Sequence, residues 1–91
     1  MVGAHIEPGV VDVTTGLGVS ETHQLTLYLD YDDGSTEAIQ GGALWEVSDL
    51  LVASIDNTGL ATVYGTVPGQ LTVTARYIGQ EATATINVQV T

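Results

Sequence analysis

The densest group of side chains able to do chemistry lies between Asp30 and Glu37: Asp30, Asp32, Asp33, Ser35, Thr36 and Glu37. Carboxylates at this density suit Ca²⁺, which gathers about six to eight oxygen ligands. An EF-hand loop needs its glycine one position later than Gly34, and strand alternation sends neighbouring side chains to opposite faces. A solvated hairpin tip is the favoured reading, with Asp30, Asp32, Asp33 and Glu37 kept as weak Ca²⁺ candidates. No other metal and no cofactor is expected. His5 and His23 lack the His-x₃-His spacing of a metal site. Ser20, His23 and Asp12 supply the residue types of a catalytic triad, but no Gly-x-Ser-x-Gly elbow presents the serine. Gly16-Leu17-Gly18 is half of a dinucleotide fingerprint with no helix behind it. The chain is therefore not expected to be an enzyme. Tyr28 and Tyr64 each interrupt a Thr-rich face and are interface candidates, for protein or for a glycan.

Composition narrows the partners. The 91 residues carry eleven Asp and Glu against one basic residue, Arg76, a net charge of −10 with His neutral. Nucleic-acid affinity rests on Lys and Arg neutralising phosphates, so nucleic acid is excluded as a partner. Anionic membrane surfaces are disfavoured on the same ground, and no apolar run approaches the ~18–20 residues of a membrane-spanning helix. There is no Cys, hence no disulfide and no thiol chemistry. No basic segment precedes an apolar one near Met1, so no signal peptide is visible. Two expectations fit this start: a piece cut from a longer protein, or a small complete protein that reaches its destination without secretion.

The elements that must position these residues are strands. Residues 1–4 read as an unstructured lead and residues 5–91 as one domain. Leu25, Leu27, Leu29 and Tyr31 alternate with Thr26, Tyr28 and Asp30, a strand with one buried face. Leu71, Val73, Ala75 and Tyr77 repeat the pattern, as do Ala82, Ala84, Ile86, Val88 and Val90. Pro8 suits an edge or a crossing between sheets. Asp32-Asp33-Gly34-Ser35 and Asp56-Asn57-Thr58-Gly59 are turns, and Asp49-Leu50-Leu51 is a turn capped by Ser48 or Asp49. Trp45, the single tryptophan, belongs at the core centre, with Leu25, Leu27, Leu29, Ile55, Leu71, Val73, Ile86 and Val88 around it. Seven to eight short strands and no helix predict an all-β, antiparallel Ig-like sandwich of two sheets.

Several segments in order resemble the bacterial Ig-like domains of group 2, found in intimin- and invasin-type adhesins. Ile6-Glu7-Pro8 is similar to the family's opening, and Gln24-Leu25-Thr26 through Tyr31-Asp32-Asp33-Gly34-Ser35 to its first long strand and hairpin. Trp45 with Ser48-Asp49, then Val52-Ala53-Ser54-Ile55-Asp56-Asn57-Thr58-Gly59-Leu60, resembles its Trp motif and following corner. Gly69 and Leu71 to Tyr77 resemble its penultimate strand. Val47 departs from a usual Ser, and Tyr64–Pro68 is about two residues longer than the pattern. The resemblance implies a non-catalytic module that spaces, displays or adheres, either as a cell-surface adhesin repeat or as a decoration on the head or tail of a phage virion. The expected partners are neighbouring Ig-like repeats, virion proteins or a host surface receptor. A carbohydrate-binding accessory module of an extracellular enzyme is the alternative.

Overall fold

The computed structural model describes residues 3–39 and 41–91. Within them the chain forms ten strands and no helix: β1 (Gly3–Glu7), β2 (Val10–Thr15), β3 (Glu21–Gln24), β4 (Thr26–Asp30), β5 (Thr36–Ile39), β6 (Leu44–Val47), β7 (Ala53–Ile55), β8 (Leu60–Val63), β9 (Gly69–Tyr77) and β10 (Gln80–Val90). They pair as β1-β4-β5, β2-β10-β9-β6 and β3-β8-β7. β3 and β4 follow one another with Leu25 alone between them. One long strand thus serves two short sheets, and both face the four-stranded sheet across a single core.

Period-two patterning decides which face is inside. Val11, Val13, Leu71, Val73, Ala75, Ala82, Ala84, Ile86 and Val88 fill the core from the four-stranded sheet, and Ile6, Leu25, Leu27, Ala53, Ala61 and Val63 meet them from the other two. The register sets large against small or branched: Ile86 lies opposite Leu71, Ala84 opposite Val73, and Trp45 opposite Ala75. The small Ala75 leaves room beside it for the buried indole. Trp45, Leu25, Leu27, Leu29, Leu71, Val73, Ile86 and Val88 are all buried; Ile55 is only half-buried. It closes β7, where the chain turns out at Asp56.

The array departs from expectation in two ways, one in strand number and one in strand sense. Leu25 N–H still follows the β3–β8 register, donating to Gly59 O 2.8 Å away, and from Thr26 onward the chain pairs with β1 instead, which splits one predicted strand into β3 and β4. At Pro8-Gly9, following a cis Glu7–Pro8 peptide, the chain crosses from the β4 sheet to the β10 sheet without reversing. β2 therefore runs parallel to β10, the one parallel pairing in an otherwise antiparallel array. β1 begins at Gly3, so Gly3 and Ala4 belong to a strand paired with Asp30 and Leu29 rather than to a lead. Met1, Val2 and the expected break at Gln40 lie outside the described residues. Tyr31, expected inward, falls just past β4 and is half-buried.

The molecule measures 45 × 20 × 17 Å. β1 enters beside the start of β10, and β10 leaves at the other extremity. The first and last described residues therefore stand at opposite ends of the long axis.

Candidate functional site

The acidic hairpin separates its carboxylates instead of collecting them. Asp33 Oδ1 accepts from the backbone N–H of Ser35 at 2.9 Å and from its hydroxyl at 2.6 Å. These bonds, the hydroxyl's first, hold its pKa below the ordinary 3.8. Glu37 Oε1 accepts from the Tyr31 hydroxyl at 2.8 Å, which raises the phenol's pKa. Asp30 turns toward β1, where His5 Nδ1 lies 2.8 and 2.9 Å from its two oxygens. Among the described residues no three His, Asp or Glu side chains are grouped to hold a metal ion.

His5 is the better-organised polar site. Its Nε2 lies 3.3 Å from Glu7 Oε2, and its ring stacks on Tyr28 with centroids 5.3 Å apart and planes 13° from parallel. The bond to Asp30 is the main reason the imidazole pKa rises above 6.5, and Glu7 adds to it against partial desolvation. One face of Tyr28 is therefore taken, and Tyr64, also half-buried, stands far along the chain in the loop after β8. Asp12 and His23 stand on different sheets, with Asp12 accepting from Asn87 at 2.9 Å. The residue types of a triad are not brought together. His23 Nε2 is the one buried side-chain polar atom without a hydrogen-bond partner among the described residues.

The turns are built by capping. Asp56 Oδ1 accepts from the N–H and hydroxyl of Thr58 and from the N–H of Leu60. The hydroxyl of Thr58 does most to depress the acid's pKa. Asp49, not Ser48, caps the β6–β7 turn, accepting from Leu51 N–H at 2.9 Å. Ser48 Oγ instead accepts from Thr72 N–H at 2.9 Å. Arg76, the only Lys or Arg, is held between Glu46 at 2.7 Å and Glu81 at 2.9 Å.

What the sequence patterning missed is at the two ends. At the C-terminal end, the segments 16–20, 48–52 and 64–68 are tied to one another and to Thr91. Gly18 N–H donates to Gly65 O, Leu17 N–H to Thr91 O, and the Thr66 hydroxyl to Leu51 O. From this frame Leu17, Val19, Leu50, Leu51 and Val67 project into solvent, Leu50 at 70% exposure and Leu51 at 77%. At the N-terminal end a shallow groove of about 310 Å³ is lined by Gly42, Leu44, Arg76, Tyr77, Ile78, Gly79, Gln80 and Glu81. The available signal was a run of apolar residues inside segments that otherwise read as turns.

No family model matches the chain. Its sequence is 32% identical over 84 residues to Ice-binding protein 1 of Shewanella frigidimarina, an alignment spanning 87% of this chain and 9% of that protein. The chain thus corresponds to about a tenth of the length of that relative. Domains 4 and 5 of the S-layer protein SbsC superpose with a TM-score of 0.59 at 20% identity, covering 92% of this chain and 49% of that two-domain chain. The chain is weakly homologous to part of a bacterial protein, and it shares its β-sandwich fold with a segment of a bacterial S-layer protein.

Proposed function

We propose that the chain is a non-catalytic Ig-like module of the group 2 type, one that spaces and displays neighbouring segments on a bacterial surface. The observation that carries this reading is the path of the chain, which enters at one end of a 45 Å rod and leaves at the other. A module threaded end to end adds length to whatever it joins, whereas adjacent termini would make it a side appendage. The two matches support the reading: one is to a tenth of a long bacterial protein, the other to half of a two-domain surface-layer fragment. A virion decoration shares the geometry but lacks this support. Antibodies against the domain, applied to intact cells and to virions, test the reading. Labelling of intact cells that is lost on protease shaving is expected, and labelling confined to lysed cells would refute it.

A second reading takes one observation from the outer face of the four-stranded sheet. Thr72 stands opposite Thr85 and Thr74 opposite Thr83, a two-by-two array of threonines. Such an array could contact ice, the ligand named for the S. frigidimarina relative. Measuring thermal hysteresis of the chain and of a Thr74→Lys/Thr83→Lys variant tests it; no activity in either leaves only the spacer reading.

A further inference from the structure

β6 has one side paired and the other open. It bonds to β9 along Leu44–Val47 and stands last in the order β2-β10-β9-β6. Ser48 N–H donates to Thr72 O, 2.9 Å away, so Ser48 directs its main-chain donor at β9. Antiparallel alternation then directs the main-chain groups of Glu46 and Leu44 the same way. It turns the N–H and C=O of Trp45 and Val47 toward the open edge. Among the described residues no other segment bonds to them there. Unpaired main-chain groups in a row are a template for another strand.

Two outward side chains flank this edge and decide what fits it. Leu44 is 58% exposed and lines the groove of about 310 Å³ with Tyr77 and Ile78. Ile78 carries an independent sign. β9 and β10 are joined by the two-residue turn Ile78-Gly79, in which both residues have positive φ, 49° and 75°. Such a turn favours Asn-Gly, because a β-branched residue is strained in the left-handed region. Ile78 is also 69% exposed, so neither backbone preference nor burial within this chain accounts for it. A backbone outlier of this kind points to use of the side chain. Glu46 is the second flanking residue, and its side chain is half exposed. Its partner Arg76 reaches it from β9, which leaves the edge side of the carboxylate to solvent.

We propose that the β6 edge binds an extended basic peptide segment as a fifth strand of the four-stranded sheet. An aliphatic residue of the segment occupies the Leu44–Ile78 groove, and a Lys or Arg two positions away stands opposite Glu46. Main-chain bonds to Trp45 and Val47 supply affinity, while the groove and Glu46 supply sequence preference. An antiparallel segment therefore reads Lys-x-aliphatic, with x opposite Trp45. Charge selects the occupant. The chain carries −10, and its single Lys or Arg is Arg76, already held by Glu46 and Glu81. No strand of a second copy supplies the free cation, so the partner is a different, basic chain. The proposal is independent of the spacing reading, because it concerns the long side of the sandwich and needs no neighbouring module.

The probe is the peptide acetyl-Ser-Thr-Lys-Val-Ile-Thr-Ser-amide, titrated to about 1 mM into the ¹⁵N-labelled chain. A buffer of ~20 mM NaCl leaves the charge attraction little screened. Saturable shifts of the Leu44, Trp45, Val47 and Ile78 signals are expected, with slowed hydrogen exchange at the Trp45 and Val47 amides. Replacing the peptide's Lys by Glu should weaken binding at least about tenfold, since it sets like charges opposite one another. N-methylation of the peptide's Val removes the donor to Trp45 C=O and should abolish binding without altering the protein. Ile78→Asn should weaken binding about tenfold while raising Tm, a pairing that a folding defect cannot produce. No shift at Trp45 and Val47 by about 1 mM peptide would overturn the proposal. Equal binding of the N-methylated or the Glu peptide would do so too, as would shifts centred on β2 or β5. Shifts of Trp45 and Val47 with protein concentration alone would make a second copy the occupant, and would equally refute a basic partner.

Discussion

Gly59 answers two demands at once. Its φ is +87°, and a Cβ there would press on Leu25 O and lie 2.8 Å from Trp45 Cζ2. The glycine that ends the Asp56 turn is therefore also the surface against which the indole packs. Gly59→Ala should destabilise the fold by about 2–4 kcal/mol, combining left-handed strain with overpacking against the indole. Urea unfolding measures it, and a double-mutant cycle assigns the cause. In a Trp45→Leu background the same substitution should cost about 1 kcal/mol less, because the smaller side chain can retreat. Equal costs in both backgrounds would place the whole effect in the backbone. Trp45→Ala should itself cost about 3–5 kcal/mol, a large part of the stability of a small domain. Retained stability with a lost ligand would instead make Trp45 a binding platform. The turn at Gly59 was legible from Asp-Asn-Thr-Gly and the core position of Trp45 from its flanking pattern. Their contact was not, because it joins loci fourteen residues apart through the placement of β3, and nothing local encodes that.

At the scale of elements, β1 is tied to the rest of its sheet by main-chain bonds and by one titratable cluster. His5 bridges to Asp30 on β4 and to Glu7 on its own strand. Its raised folded pKa means that its contribution is fully present below the unfolded value of 6.5 and is lost as pH rises through the folded value. Wild-type Tm should therefore fall from pH 6 toward pH 8 more than that of His5→Gln, and the two curves should converge at the alkaline end. The side chain is 40% exposed, so solvent screening keeps the difference to a few degrees. Parallel curves over this range would exclude the cluster from the stability of β1. Asp33 and Asp56 act on the other side of the scale. Their lowered pKa values mean that their turn caps hold above 3.8 and fail as pH drops below it. The strands themselves were largely readable, since alternation marks β4, β9 and β10 directly. The crossing at Pro8 was legible from the proline, but the break at Leu25 and the pairing of β2 parallel to β10 were not. Both are changes of partner, and period-two patterning is the same whichever sheet a strand joins.

For the whole molecule the governing facts are the end-to-end path and the net charge. Two-layer architecture followed from strand number and spacing, but the exposed apolar residues at the ends did not. Leu17, Leu50 and Ile78 look like turn residues until the loops that hold them are brought to common ends. Charge, by contrast, is visible from the outset, and the structure sharpens its consequence. Arg76 is already held by Glu46 and Glu81, so among the described residues the remaining carboxylates have His5 as their one cationic partner, and only when it is protonated. Their repulsion opposes the compact state. At low ionic strength it acts across the 17–20 Å width of the sandwich, and at ~0.3 M NaCl the screening length falls well below that width. Tm should therefore rise by several degrees between ~10 mM and ~0.3 M NaCl at pH 7, then level off. The attractive pairs at Arg76 and His5 are exposed and already screened by solvent, so their weakening in salt cannot offset the gain. Scanning calorimetry at fixed pH measures the effect. A Tm that is flat or falling over this range would mean that the charges are spaced widely enough to be indifferent to one another. A continued linear rise past 1 M would point to salt acting on apolar burial rather than on charge.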